Sequence, residues 1–231
     1  FDVQDYARLQ KIGMMNRDAG EYEGLVGGSV LSVAVRGNTH RIALDNRMNL
    51  VIALEYGGVV LYHRNAAESH DKYHLRLDFT DGTCLTVRLT SMGCLHAVPD
   101  DGIGENYVFR RDFLGGLDPI QDKEFTLERF SSLLQGQNRM LKAVLLGKDA
   151  VVVGISNAAF QEIAYQTKVH PKRKASDLNE DERKALYEAV LGILRERIRQ
   201  GGKEDFIDLY GRHGSYKAAM SSEMLGRLCP V

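Results

Sequence analysis

Val151-Val152-Val153-Gly154-Ile155-Ser156-Asn157-Ala158-Ala159-Phe160-Gln161-Glu162-Ile163 reads as an apolar, strand-like run, a glycine turn and the start of a helix. Ser156 and Asn157 are both residue types that cap helix N-termini. Such a terminus presents unpaired backbone N–H groups and a partial positive charge, which suit a phosphate. Gly154, with no Cβ, would let a phosphate come close to the backbone. The same pattern also fits an ordinary capped helix without a ligand, so the surroundings have to decide.

On either side the sequence is helical. Thr126-Leu127-Glu128-Arg129-Phe130 opens one helix, and a second runs from Met140 to Leu146 and stops at Gly147. After the Asn157 helix comes a basic loop, Val169-His170-Pro171-Lys172-Arg173-Lys174. Asn179 then caps the longest helix, with Glu180, Asp181 and Glu182 in its first turn, where acids suit the helix dipole. Leu186, Val190, Ile193, Leu194 and Ile198 form a stripe at three- and four-residue spacing, which reads as core packing. Arg195, Arg197 and Arg199 occupy its last turns, and Gly201-Gly202 ends it.

The first half has period two instead. Ser29-Val30-Leu31-Ser32-Val33-Ala34-Val35, His40-Arg41-Ile42-Ala43-Leu44 and Asn49-Leu50-Val51-Ile52-Ala53-Leu54-Glu55 read as strands. Gly57-Gly58 then reads as a hairpin turn into Val59-Val60-Leu61-Tyr62-His63. Tyr73-His74-Leu75-Arg76-Leu77-Asp78-Phe79 and Cys84-Leu85-Thr86-Val87-Arg88-Leu89 flank Asp81-Gly82, a strong hairpin signal. Short strands separated by turns suggest a sandwich or barrel. The join between the halves lies near Gly115-Gly116-Leu117-Asp118-Pro119.

Composition bounds the function classes. The 231 residues carry a net charge of −1 with 44% hydrophobic and 26% charged residues, which excludes disordered, collagen-like and uniformly basic chains. The charge is uneven: residues 1–119 have a net of −4 and residues 120–231 a net of +3, so a polyanion would favour the second half. No apolar run approaches the roughly 20 residues of a membrane-spanning helix, and Phe1-Asp2-Val3-Gln4-Asp5 shows no signal pattern. Three cysteines, Cys84, Cys94 and Cys229, argue for a reducing compartment rather than a disulfide scaffold.

The order and spacing of the segments from Gly115-Gly116-Leu117-Asp118-Pro119, through the Gly154-x-x-Asn157 turn and Val169-His170-Pro171, to Gly201-Gly202 resemble the bacterial formamidopyrimidine-DNA glycosylase and endonuclease VIII family. The resemblance is close over roughly residues 115–202 and looser over the strands. It implies an α+β fold: an N-terminal antiparallel β-sandwich over residues 1–118 that lacks the family's first helix, a helix–two-turns–helix DNA-binding domain over 119–226, and a zinc-finger stub over 227–231. Loss of that first helix would expose apolar sandwich surface.

The resemblance also implies site residues. Asn157, with the Gly154 and Ser156 backbone, would hold a phosphate beside the damaged nucleotide. Lys142 and Lys172, with Arg173 and Lys174 beside them, are further candidates for backbone contacts. His63 either matches a phosphate-binding histidine or is a strand-end histidine with a satisfied hydrogen bond. Gly226-Arg227-Leu228-Cys229-Pro230-Val231 resembles the opening of the family's zinc finger. Cys229 would then be a metal ligand and zinc a cofactor of a longer parent, its site incomplete in this chain; no organic cofactor is implied.

Several family features are not matched. The catalytic proline after the initiator Met, and the Glu beside it, have no counterpart in Phe1-Asp2-Val3-Gln4, and Pro99, Pro119, Pro171 and Pro230 are all internal. The resemblance thus assigns no catalytic residue to this chain. Asn38 or Asn49 stands where the family has a phosphate-touching Lys, and Arg64-Asn65-Ala66-Ala67-Glu68 replaces the void-filling segment. Leu89-Thr90-Ser91-Met92-Gly93 replaces the wedge loop, with Met92 either a residual wedge or a core methionine. The expected protein is a base-excision DNA glycosylase and AP lyase for oxidised bases, of which this chain is an inactive fragment. The alternative is a non-catalytic protein that binds damaged or abasic DNA. The partner would be double-stranded DNA with a damaged or abasic nucleotide. The protein would be a monomer without membrane contact, cytoplasmic and with the bacterial nucleoid.

Overall fold

The structure is a computed structural model and describes residues 1–55, 57–68, 72–90, 92–220 and 226. Among the described residues, eight strands form two antiparallel sheets. These are β1 (Asp2–Val3), β2 (Val30–Arg36), β3 (Thr39–Leu44), β4 (Met48–Ala53), β5 (Val59–His63), β6 (Leu75–Asp78), β7 (Cys84–Arg88) and β8 (Cys94–Pro99). One sheet has the order β1-β6-β7-β5 and the other β2-β3-β4-β8. The described residues also hold six α-helices: α1 (Tyr6–Lys11), α2 (Tyr107–Phe113), α3 (Leu127–Gln135), α4 (Leu141–Leu146), α5 (Asn157–Thr167) and α6 (Glu180–Arg199). Among the described residues, no helix is long and apolar enough to cross a membrane.

The α+β architecture agrees with the sequence, but the Gly57-Gly58 hairpin does not form. β4 pairs with β3 on one side and β8 on the other, and β5 pairs with β7 in the other sheet. The reason is burial. Leu50 and Ile52 of β4 enter one apolar cluster while Val51 and Ala53 enter another, so β4 is covered on both faces and is a central strand. With both its edges taken, β5 has no place beside it, and Gly57, at φ +80°, turns the chain across to the second sheet. The Asp81-Gly82 hairpin between β6 and β7 does form, with Gly82 at φ +84°.

The main core of the strand half contains Tyr22, Leu50, Ile52, Leu75, Val87, Leu95 and Ala97. Asn16 fastens the N-terminal segment to β8. Its amide donates to the Ala97 carbonyl (2.7 Å) and accepts from the Ala97 N–H (2.8 Å). A short helix, α1, opens the strand half and buries Leu9. The edge strand β2 exposes Leu31, Val33 and Val35, an apolar surface of the kind that favours strand association. Met92 is 86% exposed, which overturns its reading as a core residue.

Helix α2 was not legible in the sequence. Asn106 caps it by accepting from the Phe109 N–H (3.1 Å). Its Asp112 is buried, takes the Thr39 hydroxyl (2.6 Å) and the Asn38 N–H (3.1 Å), and is paired with Arg111 (2.7 Å).

The chain divides into two compact units. Phe1–Leu114 and Ile207–Arg212 form the first, and Gly115–Phe206 with the described residues from His213 onward form the second. The core of the second contains Phe130, Leu134, Leu141, Val144, Leu145, Phe160, Ile163, Leu186 and Val190. Thr126 caps α3, and Asn179 caps α6 in a reciprocal box with Glu182. Two corrections apply here. Ile198 is 62% exposed and leaves the stripe, because the core ends near Ile193. The Val151-Val152-Val153 run contributes only an isolated parallel bridge, Leu117 to Val152, rather than a strand. At that bridge Gly116 lies so close to residue 151 that a Cβ would sit 2.5 Å from the Val151 carbonyl carbon.

Two predictions follow from this packing. Gly116→Ala is expected to destabilise the protein by about 1–3 kcal/mol through overpacking against backbone. Gly192→Ala, in the middle of α6 with nothing within 4 Å of its Cβ position, is expected to stabilise it by about 0.5–1 kcal/mol; urea unfolding of both variants checks the two signs. The second concerns pH. Burial lowers the pKa of His40, His74 and His96. His74 Nδ1 accepts from the Leu89 N–H (2.9 Å), His96 Nδ1 faces the Asn106 amide (3.0 Å), and His40 Nδ1 is buried without a partner among the described residues. Neutral imidazoles are favoured in the folded state, so their contribution is complete above about pH 6.5 and is lost as pH falls through the lowered values. Urea midpoints measured from pH 7.5 down to 5 should decline, and a flat profile would contradict this.

Candidate nucleic-acid interface

The turn that leads into α5 is built by alternate burial. Val152, Val153 and Ile155 are buried, while Gly154, Ser156 and Asn157 are exposed. Gly154 has φ +82°, a conformation that favours glycine. Of the two possible caps, Ser156 takes the role: its hydroxyl accepts from the Ala159 N–H (3.1 Å), and its carbonyl accepts from the Phe160 N–H (2.9 Å). The N–H groups of Asn157 and Ala158 precede the first intrahelical bond and have no acceptor within the helix. The Asn157 side chain is exposed and has no partner among the described residues. The turn thus offers two main-chain donors, a side-chain amide and the positive end of an 11-residue helix.

Lys142 and Lys172 are brought together by main-chain bonds. The Leu141 N–H donates to the Arg173 carbonyl (2.8 Å) and the Lys142 N–H to the Pro171 carbonyl (3.2 Å), strapping the basic loop to the start of α4. Lys142, Lys172 and Lys174 are exposed on this strap. Arg173 is engaged structurally, pairing with Glu182 and donating to the Asp177 carbonyl (2.8 Å). His63 is half-buried on β5 with Nε2 2.8 Å from the Thr86 hydroxyl, so that nitrogen is already bonded within the sheet. Asn49 is committed as well, bonded to Arg41, Asp100 and the Val98 carbonyl inside the sheet.

One group escaped the sequence reading. Glu162, 3% exposed, accepts from Arg197 Nη2 (2.6 Å), the Tyr216 hydroxyl (3.1 Å) and the Ala219 N–H (2.7 Å). The Arg197 guanidinium also lies over the Tyr216 ring, 4.9 Å from its centroid. Burial and the Glu162 charge push the Tyr216 hydroxyl pKa up, which keeps it a donor. The available signal was a carboxylate among Ala159, Phe160, Ile163 and Ala164, on a face that is otherwise apolar.

Residues 115–206 match the formamidopyrimidine-DNA glycosylase H2TH domain. Formamidopyrimidine-DNA glycosylase of Roseiflexus sp. (strain RS-1) is 30% identical over 191 residues, covering 81% of this chain and 67% of its own length. The chain belongs to the formamidopyrimidine-DNA glycosylase family. The enzyme of the same name from Bacillus cereus (strain ATCC 10987 / NRS 248) is 29% identical over 202 residues, covering 86% of this chain and 71% of its own length. Among solved structures, the Lactococcus lactis Fpg in complex with DNA containing an abasic site superposes with a TM-score of 0.73 at 20% identity, over 88% of this chain and 74% of that one. The same enzyme with DNA containing N7-benzyl-Fapy-dG gives 0.69 at 22% identity, over 84% and 70%. At such identities these likenesses are of fold.

The zinc reading meets no support among the residues described. Cys229 lies outside them, and no group of three or more His, Cys, Asp or Glu among the described residues could hold a metal. Cys84 and Cys94 are free and buried, and burial pushes the Cys94 thiol up to about 11, whereas a zinc ligand must be a thiolate. In this glycosylase-family domain, Glu162 joins α5 to α6 and to the segment beyond α6. Glu162→Ala is expected to lower stability by about 3–5 kcal/mol, because it leaves the Arg197 guanidinium, 12% exposed, without its counter-charge. Replacing both partners by apolar residues should recover part of that loss. A urea-melt cycle measures both, and a single-variant loss below about 1 kcal/mol would contradict this role.

Proposed function

We infer that the chain serves base-excision repair as a DNA glycosylase-family protein that grips double-stranded DNA beside a damaged or abasic nucleotide. The turn at residues 154–157 carries this reading. A left-handed glycine, two free N–H groups and an unpartnered exposed amide converge at one helix N-terminus, inside the stretch that matches the family's H2TH domain. The turn accepts a phosphate through main-chain donors and the helix dipole, without reading sequence. Lys142 and Lys172 on the neighbouring strap add sequence-independent charge. Flipping a base costs a few kcal/mol and is easiest at a damaged pair, so a phosphate anchor that recognises no base suits repair.

The chemistry of the family, cleavage of the N-glycosidic bond of an oxidised base followed by strand elimination, requires an amine that forms a Schiff base with the sugar. The positions matched to the family's lysine are asparagines, Asn49 with its amide committed to the sheet and Asn38 docked through its N–H on Asp112. These features favour the second reading, in which this chain binds lesions without cutting.

The test is a titration of the wild-type chain and Asn157→Ala against a duplex with a central abasic-site analogue and an undamaged control, at several salt concentrations. The wild type should prefer the abasic duplex, and the variant should lose about 1–2 kcal/mol, roughly 5–30-fold, on it. Equal weak binding to both duplexes, unaffected by the substitution, would sink the site. Borohydride trapping on a duplex with a natural abasic site then separates the two readings: a covalent adduct favours the lyase, and its absence favours the binding protein.

A further inference from the structure

A second cluster of cations lies in the first unit, beside His63 on β5. The segment Ile207–Arg212 packs with the strand half, and the Tyr62 N–H of β5 donates to the Leu209 carbonyl (2.8 Å), extending the edge of that sheet. This pairing gathers Tyr62, Arg64, Tyr210 and Arg212 around one open hollow of about 450 Å³. Tyr62 and Tyr210 meet edge to face with centroids 6.0 Å apart, and Tyr210 is 58% exposed.

The two arginines are presented differently. Asp208 organises the turn, accepting the Tyr210 and Arg212 N–H groups (both 2.9 Å), and its other oxygen holds Arg212 through Nε and Nη2 (both 2.7 Å). Arg212 is thereby held across the Tyr210 ring, 5.4 Å from its centroid, with Nη1 left for an outside acceptor. Arg64 is exposed and has no partner among the described residues. One pre-positioned guanidinium, one free guanidinium and two tyrosines, with Asp208 counted, leave a net charge of +1 in a shallow, partly aromatic site. Guanidinium forks match phosphate oxygens, and aromatic rings match sugar and base surfaces.

We propose that Tyr62, Arg64, Tyr210 and Arg212 form a second backbone contact, which takes a phosphodiester of the DNA strand on the first unit. The proposal rests on the DNA-binding reading above and extends it to a surface outside the H2TH match. It is a contact with the backbone and carries no lesion preference.

The experiment measures log K against log salt for the wild-type chain, Arg64→Gln, Arg212→Gln, the double variant and Arg17→Gln, on the abasic and undamaged duplexes. Arg17 is an exposed arginine of the same unit, outside the hollow. Each hollow substitution should reduce the slope by about 0.9 and the double by about 1.8, with several-fold weaker binding on both duplexes alike. Arg17→Gln should leave the slope unchanged. Slopes unaffected by Arg64→Gln and Arg212→Gln overturn the contact while leaving the Asn157 site standing, and so does an equal fall with Arg17→Gln, which would reflect overall charge. A wild-type chain that binds neither duplex overturns both readings together. Calorimetric titration with inorganic phosphate supplies the last arm: saturable binding that Arg64→Gln abolishes, with unchanged duplex slopes, assigns the hollow to free phosphate and overturns the DNA contact. Thermal melts of the variants should match the wild type, since both substituted side chains are exposed.

Discussion

Glu162 places a carboxylate inside the helical unit, where an unpaired charge would cost several kcal/mol. Folding is compatible with it only if donors arrive from elsewhere in the chain. They come from three places: Arg197 near the end of α6, Tyr216, and the backbone at Ala219. These donors lie 35, 54 and 57 residues away in sequence, so one side chain ties the middle of α5 to the end of α6 and to the segment beyond. Apolar packing between α5 and α6 is non-directional and would tolerate sliding. A bidentate-capable guanidinium held by one carboxylate and covered by a tyrosine ring does not.

That restraint matters for the exposed end of the same helix. The Gly154 turn and the first N–H groups of α5 are useful to a phosphate only if their direction is set before the ligand arrives. Ile155 and Phe160 bury the turn from beneath, Ser156 closes the first hydrogen bond, and Glu162 sits one and a half turns further along as the fixed point. Gly116 contributes from the other side: its bare Cα lets the chain run against residue 151, so the apolar run before the turn is held by main-chain bonds between Leu117 and residues 151 and 153. The site is therefore a consequence of core packing and one buried ion pair, with few of its own side chains involved.

Local signals were legible in the sequence where a single physical cause dominates. Asn179 caps α6 with its acids in the first turn, Asp81-Gly82 makes its hairpin, and Thr126 caps α3. The Gly154 turn and the helix cap that follows it were legible for the same reason. What failed depended on tertiary choices. Gly57-Gly58 looks like a hairpin until β4 proves to be central, and Ile198 continues a stripe whose core has already ended. Helix α2 is held by Asp112 contacts with the β2–β3 turn, which short-range periodicity does not register. The Glu162 partners and the pairing of Leu209 with Tyr62 are long-range contacts, for which a single sequence carries only the weak hint of a charge on an apolar face.

A chain with a net charge of −1 is an unpromising polyanion binder if charge is averaged over its surface. The structure shows why the average misleads. Several acids are engaged within the protein: Glu162, Asp112 and Asp118 are buried, Glu182 completes the α6 capping box and holds Arg173, and Glu196 is tied to Arg199. Lys142, Lys172 and Lys174 stand exposed on the strap, and the α5 terminus adds positive potential without any ionisable group. Within a Debye length of about 8–10 Å at physiological salt, a phosphate meets these local donors rather than the total charge. Helix-terminal N–H groups keep their polarity at any pH. Anion affinity built this way depends steeply on ionic strength through the lysines and only weakly through the main chain. The helix-terminal donors and the lysines of the strap are thus physically separable contributions to anion affinity.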